Sequence, residues 1–283
     1  MVCRLLSDSG PLLPVLPARI TATRLLMNFL DGEILYIDKP LGWTSFDAVK
    51  RTRGAITRRL CVKKIKVGHA GTLDPLATGV MILTTGRATR QIEQLQAGVK
   101  EYIATIALGA TTPSFDLETE IDATYPTAHI TEELVRQTLS QFTGRIEQVP
   151  PAFSAIKIGG KRAYQMARQG EEPQLKAKVL VIDEIELLQF APTEIVVRVV
   201  CSKGTYIRAL ARDIGQALNS GAHLTSLRRT RVGDVTLDQC LSVQALADII
   251  AGTPIEWPED YPVPEKFLSR QQTAAQAPQQ TNE

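Results

Sequence analysis

One carboxylate stands out by its surroundings. In "GHAGTLDPLATGVMILTTG", residues 68–86, Asp74 is the only acid among glycines, threonines and apolar residues. Three chemistries suit an acid presented in this way. It could cap a turn ahead of Pro75, as short acids do. It could sit in a phosphate-cradling loop, although the Gly-Lys-Ser/Thr ending of such loops is missing. Or it could act as a nucleophile or general base, which requires a cation nearby to keep it ionised and a pocket that excludes water. Composition leaves all three open. Gly68, Gly71 and Gly79 permit positive φ and close backbone approach, so the acid lies in a shaped loop that feeds the strand-like "VMILTT".

The other reactive side chains are scattered. Cys3, Cys61, Cys201 and Cys240 form neither a CxxC pair nor a zinc spacing, and His69, His129 and His223 are equally far apart. They read as free thiols in a reducing, cytoplasmic compartment, with no metal. The basic residues, by contrast, cluster. "KRTRGAITRRLCVKKIK", residues 50–66, holds Lys50, Arg51, Arg53, Arg58, Arg59, Lys63, Lys64 and Lys66 and no acid. After Pro254 there are five acids and only Lys266 and Arg270 as bases, so the net charge of +2 understates how basic the rest is. A polyanionic partner is one reading of the cluster, and a solvated helix face is the other.

The elements that must position these groups alternate along the chain. "EILYIDKP", "GVMILTTG", "KEYIATIALG", "VLVIDEIELLQF" and "EIVVRVVCS" are β-branched or alternating and bounded by turn residues, as strands are. "SFDAVKRTRGAI", "TRQIEQLQAG", "TEELVRQTLSQFTG", "TYIRALARDIGQAL" and "SVQALADIIAG" carry helical spacing, several with Ser or Thr at the start and Gly at the end. With 44% hydrophobic and 22% charged residues over 283 positions, this is one mixed αβ domain with no apolar run long enough to span a bilayer. Residues 1–28, with three prolines and no basic start to an apolar core, read as an N-terminal extension that is disordered or precedes a native start at Met27. The domain is expected over 29–252, and the Pro- and Gln-rich 253–283 as a disordered tail.

"GHAGTLDPLATGVMILTTG" closely resembles the catalytic loop of the TruB-type tRNA pseudouridine synthases, which isomerise uridine 55 in the T arm of tRNA. Five further blocks are similar to that family in the same order. They are "LYIDKPLGWTSFDAV", "KEYIATIALG", "PPAFSAIKIGGKRAYQMARQG", "CSKGTYIRALARDIG" and "GAHLTSLRRTRVG", spread over residues 35–233. The resemblance implies an α+β pseudouridine synthase fold, a mixed, mostly antiparallel sheet flanked by helices and loops with a central RNA-binding cleft. Many bacterial relatives append a small RNA-binding PUA domain, whereas the roughly 30 Pro- and Gln-rich residues after Gly252 are too few and too polar for that module, so a core-only form is expected.

Carried over by position, Asp74 matches the family's essential aspartate, the nucleophile. Arg208 matches the arginine that pairs with it, and Tyr102 the tyrosine that stacks on the flipped uracil. Leu227 falls on an apolar wall of the base pocket, Tyr206 and Lys39 on positions lining the same cleft, His69 on a contact to the T loop and Asp116 on a polar contact to the site. Candidates for phosphate contact are the 50–66 cluster, Lys157, Lys161, Arg162 and Arg168, and Arg228, Arg229 and Arg231. Gly159 and Gly160 suggest that the insertion 147–176 is a mobile hairpin and helix that closes on RNA. Moving C1′ from N1 to C5 of the same uracil needs no outside atom and no net redox change, so no cofactor is expected. The implied partner is the tRNA T-arm stem-loop, bound by a monomer with no obligate protein partner and no membrane. For each residue alone the bland alternatives stand: a surface charge for Arg208, a half-buried strand aromatic for Tyr102, a turn residue for His69.

Overall fold

The structure, a computed structural model, describes residues 26–171 and 173–276. Fourteen strands lie among them. They are β1 (Ile34–Lys39), β2 (Val67–His69), β3 (Ala77–Thr85), β4 (Lys100–Leu108), β5 (Ala110–Thr111), β6 (Ala123–Thr124) and β7 (Gly144–Gln148). Then follow β8 (Lys157–Ile158), β9 (Lys161–Arg162), β10 (Lys178–Ala191), β11 (Glu194–Cys201), β12 (Ala222–Val232), β13 (Val235–Thr236) and β14 (Leu241–Ser242). The helices are α1 (Ser45–Leu60), α2 (Ile92–Ala97), α3 (Glu132–Ser140), α4 (Ala163–Arg168), α5 (Ile207–Ala217), α6 (Val243–Gly252) and α7 (Glu265–Gln276).

Ten strands form one sheet in the order β14-β1-β3-β12-β4-β11-β10-β7, with β2 on β3 and β13 on β12. All its pairings are antiparallel except β1 with β14 and β3 with β12. The parallel β3–β12 pair at the centre, Leu227 opposite Ala77 and Arg229 opposite Gly79, is the seam on which the site is built. Gly79 is required there. Its φ is +111°, and a Cβ would lie 2.1 Å from the Arg229 carbonyl oxygen.

Side chains alternate along β3, and this sets the layers. Ala77 joins the cluster under α3 and α5, while Met81 and Leu83 join the cluster under α1 and α6. Both helix layers therefore cover one face of the sheet, and Asp74 sits where they part. α1 is well specified by its sequence. Thr44 and Asp47 form a capping box, and Ala48, Val49, Thr52, Ala55, Ile56 and Leu60 make a buried stripe. Cys61 ends the helix at φ +55°. In α5, Gly215 lets the helix approach β12 closely, since a Cβ there would lie 2.5 Å from the Ala222 nitrogen.

Two boundaries differ from the sequence expectation. Residues 253–276 are not a disordered tail: Met27 bridges to Ile255, and Trp257 packs edge-on against Phe267 at 5.0 Å, with Phe267 3% exposed. Composition concealed this because a few aromatic anchors suffice to dock a segment on a preformed surface, here the C-terminal end of α1. Met27 and Asn28, expected in the extension, likewise belong to the fold, with Met27 1% exposed. Residues 1–25 and 277–283 lie outside the described residues. No described helix is long and apolar enough to cross a membrane.

Candidate active site

The Asp74 loop is clamped from both sides. The Ser45 hydroxyl donates to the Leu73 carbonyl at 2.9 Å and accepts from the Leu73 N–H at 2.8 Å. The Gly42 N–H donates to the Pro75 carbonyl at 2.9 Å. From the other side Arg229 donates to the carbonyls of Gly71, Thr72 and Val80. The small residues of the stretch are what allow α1, β12 and the Lys39 side chain to crowd this loop. Asp74 is held by its backbone, and its side chain is 36% exposed.

Arg208, on the first turn of α5, faces inward and is only 4% exposed. Its Nε and Nη2 both lie 2.9 Å from Oδ2 of Asp74. Its Nη1 donates to the Ser114 carbonyl at 3.3 Å and its Nη2 to the Phe153 carbonyl at 3.0 Å. Asp116, 6% exposed, comes within 3.5 Å of the same guanidinium. One buried cation thus ties together the catalytic-loop candidate, the 112–116 turn, the insertion and α5.

A cleft of about 590 Å³ opens beside this pair, within the size range of small-molecule sites. It is lined by Asp74, Arg208, Tyr102, Tyr206, His69 and Leu227, so the structure gathers these candidates in one place. A smaller recess of about 130 Å³ adjoins it at Asp74, Arg208 and Leu227 and contains Asp116. Burial raises the Tyr102 hydroxyl above its ordinary pKa, and a hydrogen bond with Arg229 works against that shift. Burial, reinforced by the Asp74 charge, raises Tyr206 as well. Both rings are therefore neutral near pH 7. Burial lowers His69, which is neutral there too.

Four expectations change. Lys39 does not line the cleft: it is fully buried beneath the loop, and its ammonium donates to the carbonyls of Pro40, Trp43 and Pro75. Burial lowers its pKa to about 8, with the Asp74 charge opposing the shift. Arg229 is not an exposed phosphate contact: it borders the cleft but is 1% exposed and committed to backbone carbonyls. Arg228, one residue earlier, alternates to the other face of the sheet and pairs with Asp38 at 2.7 Å. Arg231, two residues beyond Arg229, lies 3.7 Å from Glu101 and donates to the Gly233 carbonyl. Nothing in the sequence distinguishes these arginines, because a bulge between Arg229 and Arg231 interrupts the alternation.

The insertion forms the hairpin β8–β9 and the helix α4. Lys157, Lys161 and Arg162 are exposed on the hairpin, and Arg162 donates to the Ala155 carbonyl. Arg168 and Tyr164 of α4 form part of the cleft wall, and Arg168 bonds Glu118 at 2.5 Å across its mouth.

Sequence reasoning missed Gln148 and Lys100. Gln148, 1% exposed, accepts from the Tyr206 N–H at 2.9 Å and donates to the Tyr206 carbonyl at 3.2 Å, fixing the start of α5. Lys100 reaches the cleft from β4, its pKa lowered to about 8 by burial and then by Arg229. Only their positions two residues before Pro150 and Tyr102 hinted at either. Among the described residues no group of three or more His, Cys, Asp or Glu is placed to hold a metal ion.

The arrangement is a fixed carboxylate, one oxygen bound by a buried guanidinium, at the edge of a cleft with a buried neutral tyrosine. It suits nucleophilic or basic chemistry on a planar, uncharged ring.

The chain is similar to known proteins over most of its described length. Residues 58–207 match the family described as TruB family pseudouridylate synthase (N terminal domain), and residues 208–256 the tRNA pseudouridylate synthase B C-terminal domain. The chain is 68% identical over 230 residues to the tRNA pseudouridine synthase B of Phocaeicola vulgatus, covering 81% of this chain and 98% of that protein. It is 48% identical to the protein of the same name from Mycobacterium bovis, over 76% of this chain and 72% of that protein. Among solved structures, a chain of a Cbf5-Nop10-Gar1 complex superposes with a TM-score of 0.58 at 31% identity, covering 78% of this chain and 55% of that chain. The present chain thus spans about half the length of that solved relative.

Proposed function

Because this chain belongs to the TruB family of pseudouridylate synthases and is an isomerase that modifies tRNA, we propose that it converts uridine 55 of the T arm with Asp74 as the nucleophile. The observation that carries this reading is the Asp74–Arg208 pair. Two guanidinium contacts anchor Oδ2 beside the cleft, and Oδ1 is left for the substrate.

The reaction breaks the bond from C1′ to N1 and makes one from C1′ to C5, while C5 gives up its proton to solvent and N1 takes one up. Atoms and electrons balance without a cofactor. The detached uracil must be kept in place and turned, which calls for a walled pocket. Tyr102 serves as the stacking partner of the flipped base, and Leu227 closes the apolar side. Extruding the base from a folded loop costs a few kcal/mol, and stacking on an aromatic ring offsets about 1–3 kcal/mol of that. Tyr206 and His69 contact the substrate from the cleft walls as neutral groups, and Asp116 steadies Arg208 from below. Exposed Lys157, Lys161 and Arg162 meet phosphates when the insertion closes.

Tritium release from tRNA transcripts carrying 5-tritiated uridine tests this. Wild type should release tritium from the intact transcript and not from one with cytidine at the T-loop target. Asp74→Asn should bind the transcript and release none. Release that survives Asp74→Asn would remove that residue from the mechanism, and release from the cytidine transcript would move the target.

A further inference from the structure

The cleft continues past the Asp74 loop. Thr44, Ser45 and Phe46, at the first turn of α1, form one of its walls. On the other side of that turn lies a second concave surface of about 600 Å³, bounded by Trp43 and by the helix residues Asp47, Lys50, Arg51, Gly54 and Arg58. Lys50, Gly54 and Arg58 recur every fourth residue, so they form one stripe along α1 about 12 Å long. Gly54 leaves the floor of the stripe open, since the nearest atom to a Cβ there would be a guanidinium nitrogen of Arg58 at 3.4 Å.

The charges of this surface are unbalanced. No cation of the 50–66 run lies within 4.0 Å of a carboxylate among the described residues. Some of them have structural partners. Arg53 donates to the Val67 carbonyl, Arg59 donates to the Thr253 carbonyl and stacks over Phe267, and Arg51 donates to Gln244. The side chains of Lys50 and Arg58 make no hydrogen bond among the described residues. The C-terminal helix α7 adds a further cation at the far end, where Arg270 donates to the Arg58 carbonyl at 3.1 Å. The one acid on the groove, Asp47, is turned to the Thr44 N–H and hydroxyl as a helix cap.

Resting on the reading of the protein as an RNA isomerase, we propose that this groove is a second RNA site that tracks the backbone phosphates of the stem carrying the target loop. Only the first turn of α1 separates it from the cleft, with Thr44, Ser45 and Phe46 on the cleft side and Trp43 and Asp47 on the groove side, so a strand crossing that turn would reach it. A stem fits better than a second single strand, because single-strand sites pair cations with stacking aromatics, and the one aromatic bounding this groove, Trp43, is partly buried against the core under α1. Its contribution is independent of base sequence, as phosphate contacts are.

Salt dependence of binding tests the groove. Affinity should be measured for a T-arm hairpin with its whole stem and for one cut back to the closing base pairs, using wild type, the double variant Lys50→Ala/Arg58→Ala, and Arg136→Ala as a control on α3. The double variant should lower the slope of log affinity against log salt by about 1.4–1.8 on the full stem, from roughly 0.7–0.9 per phosphate, and leave the short hairpin unchanged. An unchanged slope on the full stem overturns the groove, as does an equal loss on both RNAs or a loss matched by Arg136→Ala. Tritium release by wild type is followed in parallel. Its absence would count against the isomerase reading, whereas release together with an unaltered slope would count against the groove alone.

Discussion

Arg208 meets Asp74 through a single oxygen: Nε and Nη2 both approach Oδ2 at 2.9 Å, while the remaining guanidinium contacts go to the carbonyls of Ser114 and Phe153. The pair therefore does more than neutralise charge. It fixes the orientation of the carboxylate and ties it to two loops that bound the cleft.

Arg208→Lys should retain the positive charge and lose that geometry, because one ammonium cannot serve Asp74 and both carbonyls at once. The single-turnover rate should fall at least about 100-fold. Stability should fall by about 1–3 kcal/mol for each buried acceptor left without a donor. Rapid-quench kinetics and urea unfolding read the two effects separately. A rate close to wild type would show that charge alone is sufficient.

Gly79→Ala should unfold or badly loosen the centre of the sheet. The added methyl would sit 2.1 Å from the Arg229 carbonyl oxygen, at a φ of +111° that alanine avoids. Parting β3 from β12 there should cost about 3 kcal/mol or more, seen as a lowered urea midpoint. Gly54→Ala, in the open α1 groove, should leave stability unchanged or slightly higher, since alanine favours helix.

Lys39 makes stability depend on pH above neutrality. Its native pKa is lowered to about 8 from an ordinary 10.5. Below about pH 8 both native and unfolded forms carry the proton, and the full penalty of burying the charge is present. Between pH 8 and 10.5 the native lysine has released its proton and the unfolded one has not, so the unfolded state binds more protons and stability rises with pH. The unfolding free energy of wild type relative to Lys39→Met should therefore improve between pH 7.5 and about 9.5. A flat difference would mean that the buried ammonium stays protonated.

Glu118→Gln should release the insertion. The Arg168–Glu118 bond crosses the cleft mouth with side chains 61% and 31% exposed, so it contributes at most about 1 kcal/mol. An RNA phosphate can take Arg168 from Glu118. Without the acid, stopped-flow association with the T-arm hairpin should be up to about fivefold faster at low salt, with the difference fading as salt rises. Slower association would mean that the bond preorganises the insertion.

Much of the fold is legible in local patterns. The strands β1, β3, β4, β10 and β11 announce themselves by β-branched runs, and α1, α3, α5 and α6 by apolar spacing and caps, because their faces are buried over several successive turns or pleats. β12 is the instructive exception. "LRRTR" reads as a basic surface patch, yet it is a central strand, with polar residues inward because the site lies beneath it. α7 escapes for the opposite reason: its polar composition hides a single anchoring phenylalanine, Phe267.

The sequence by itself determined the chemistry on offer: one acid in a glycine-rich loop, a tyrosine on a strand, an arginine opening a helix, and a block of cations. These are properties of short stretches, set by residue type and spacing. The family resemblance already named Arg208 as the partner of the acid, and the tertiary structure decided where the other arginines go. Strand alternation, the β3–β12 pairing and the rotation of α5 send Arg208 to Asp74, Arg228 to Asp38 and Arg229 into backbone carbonyls. Side-chain direction follows from packing between segments more than a hundred residues apart, and no local pattern encodes it.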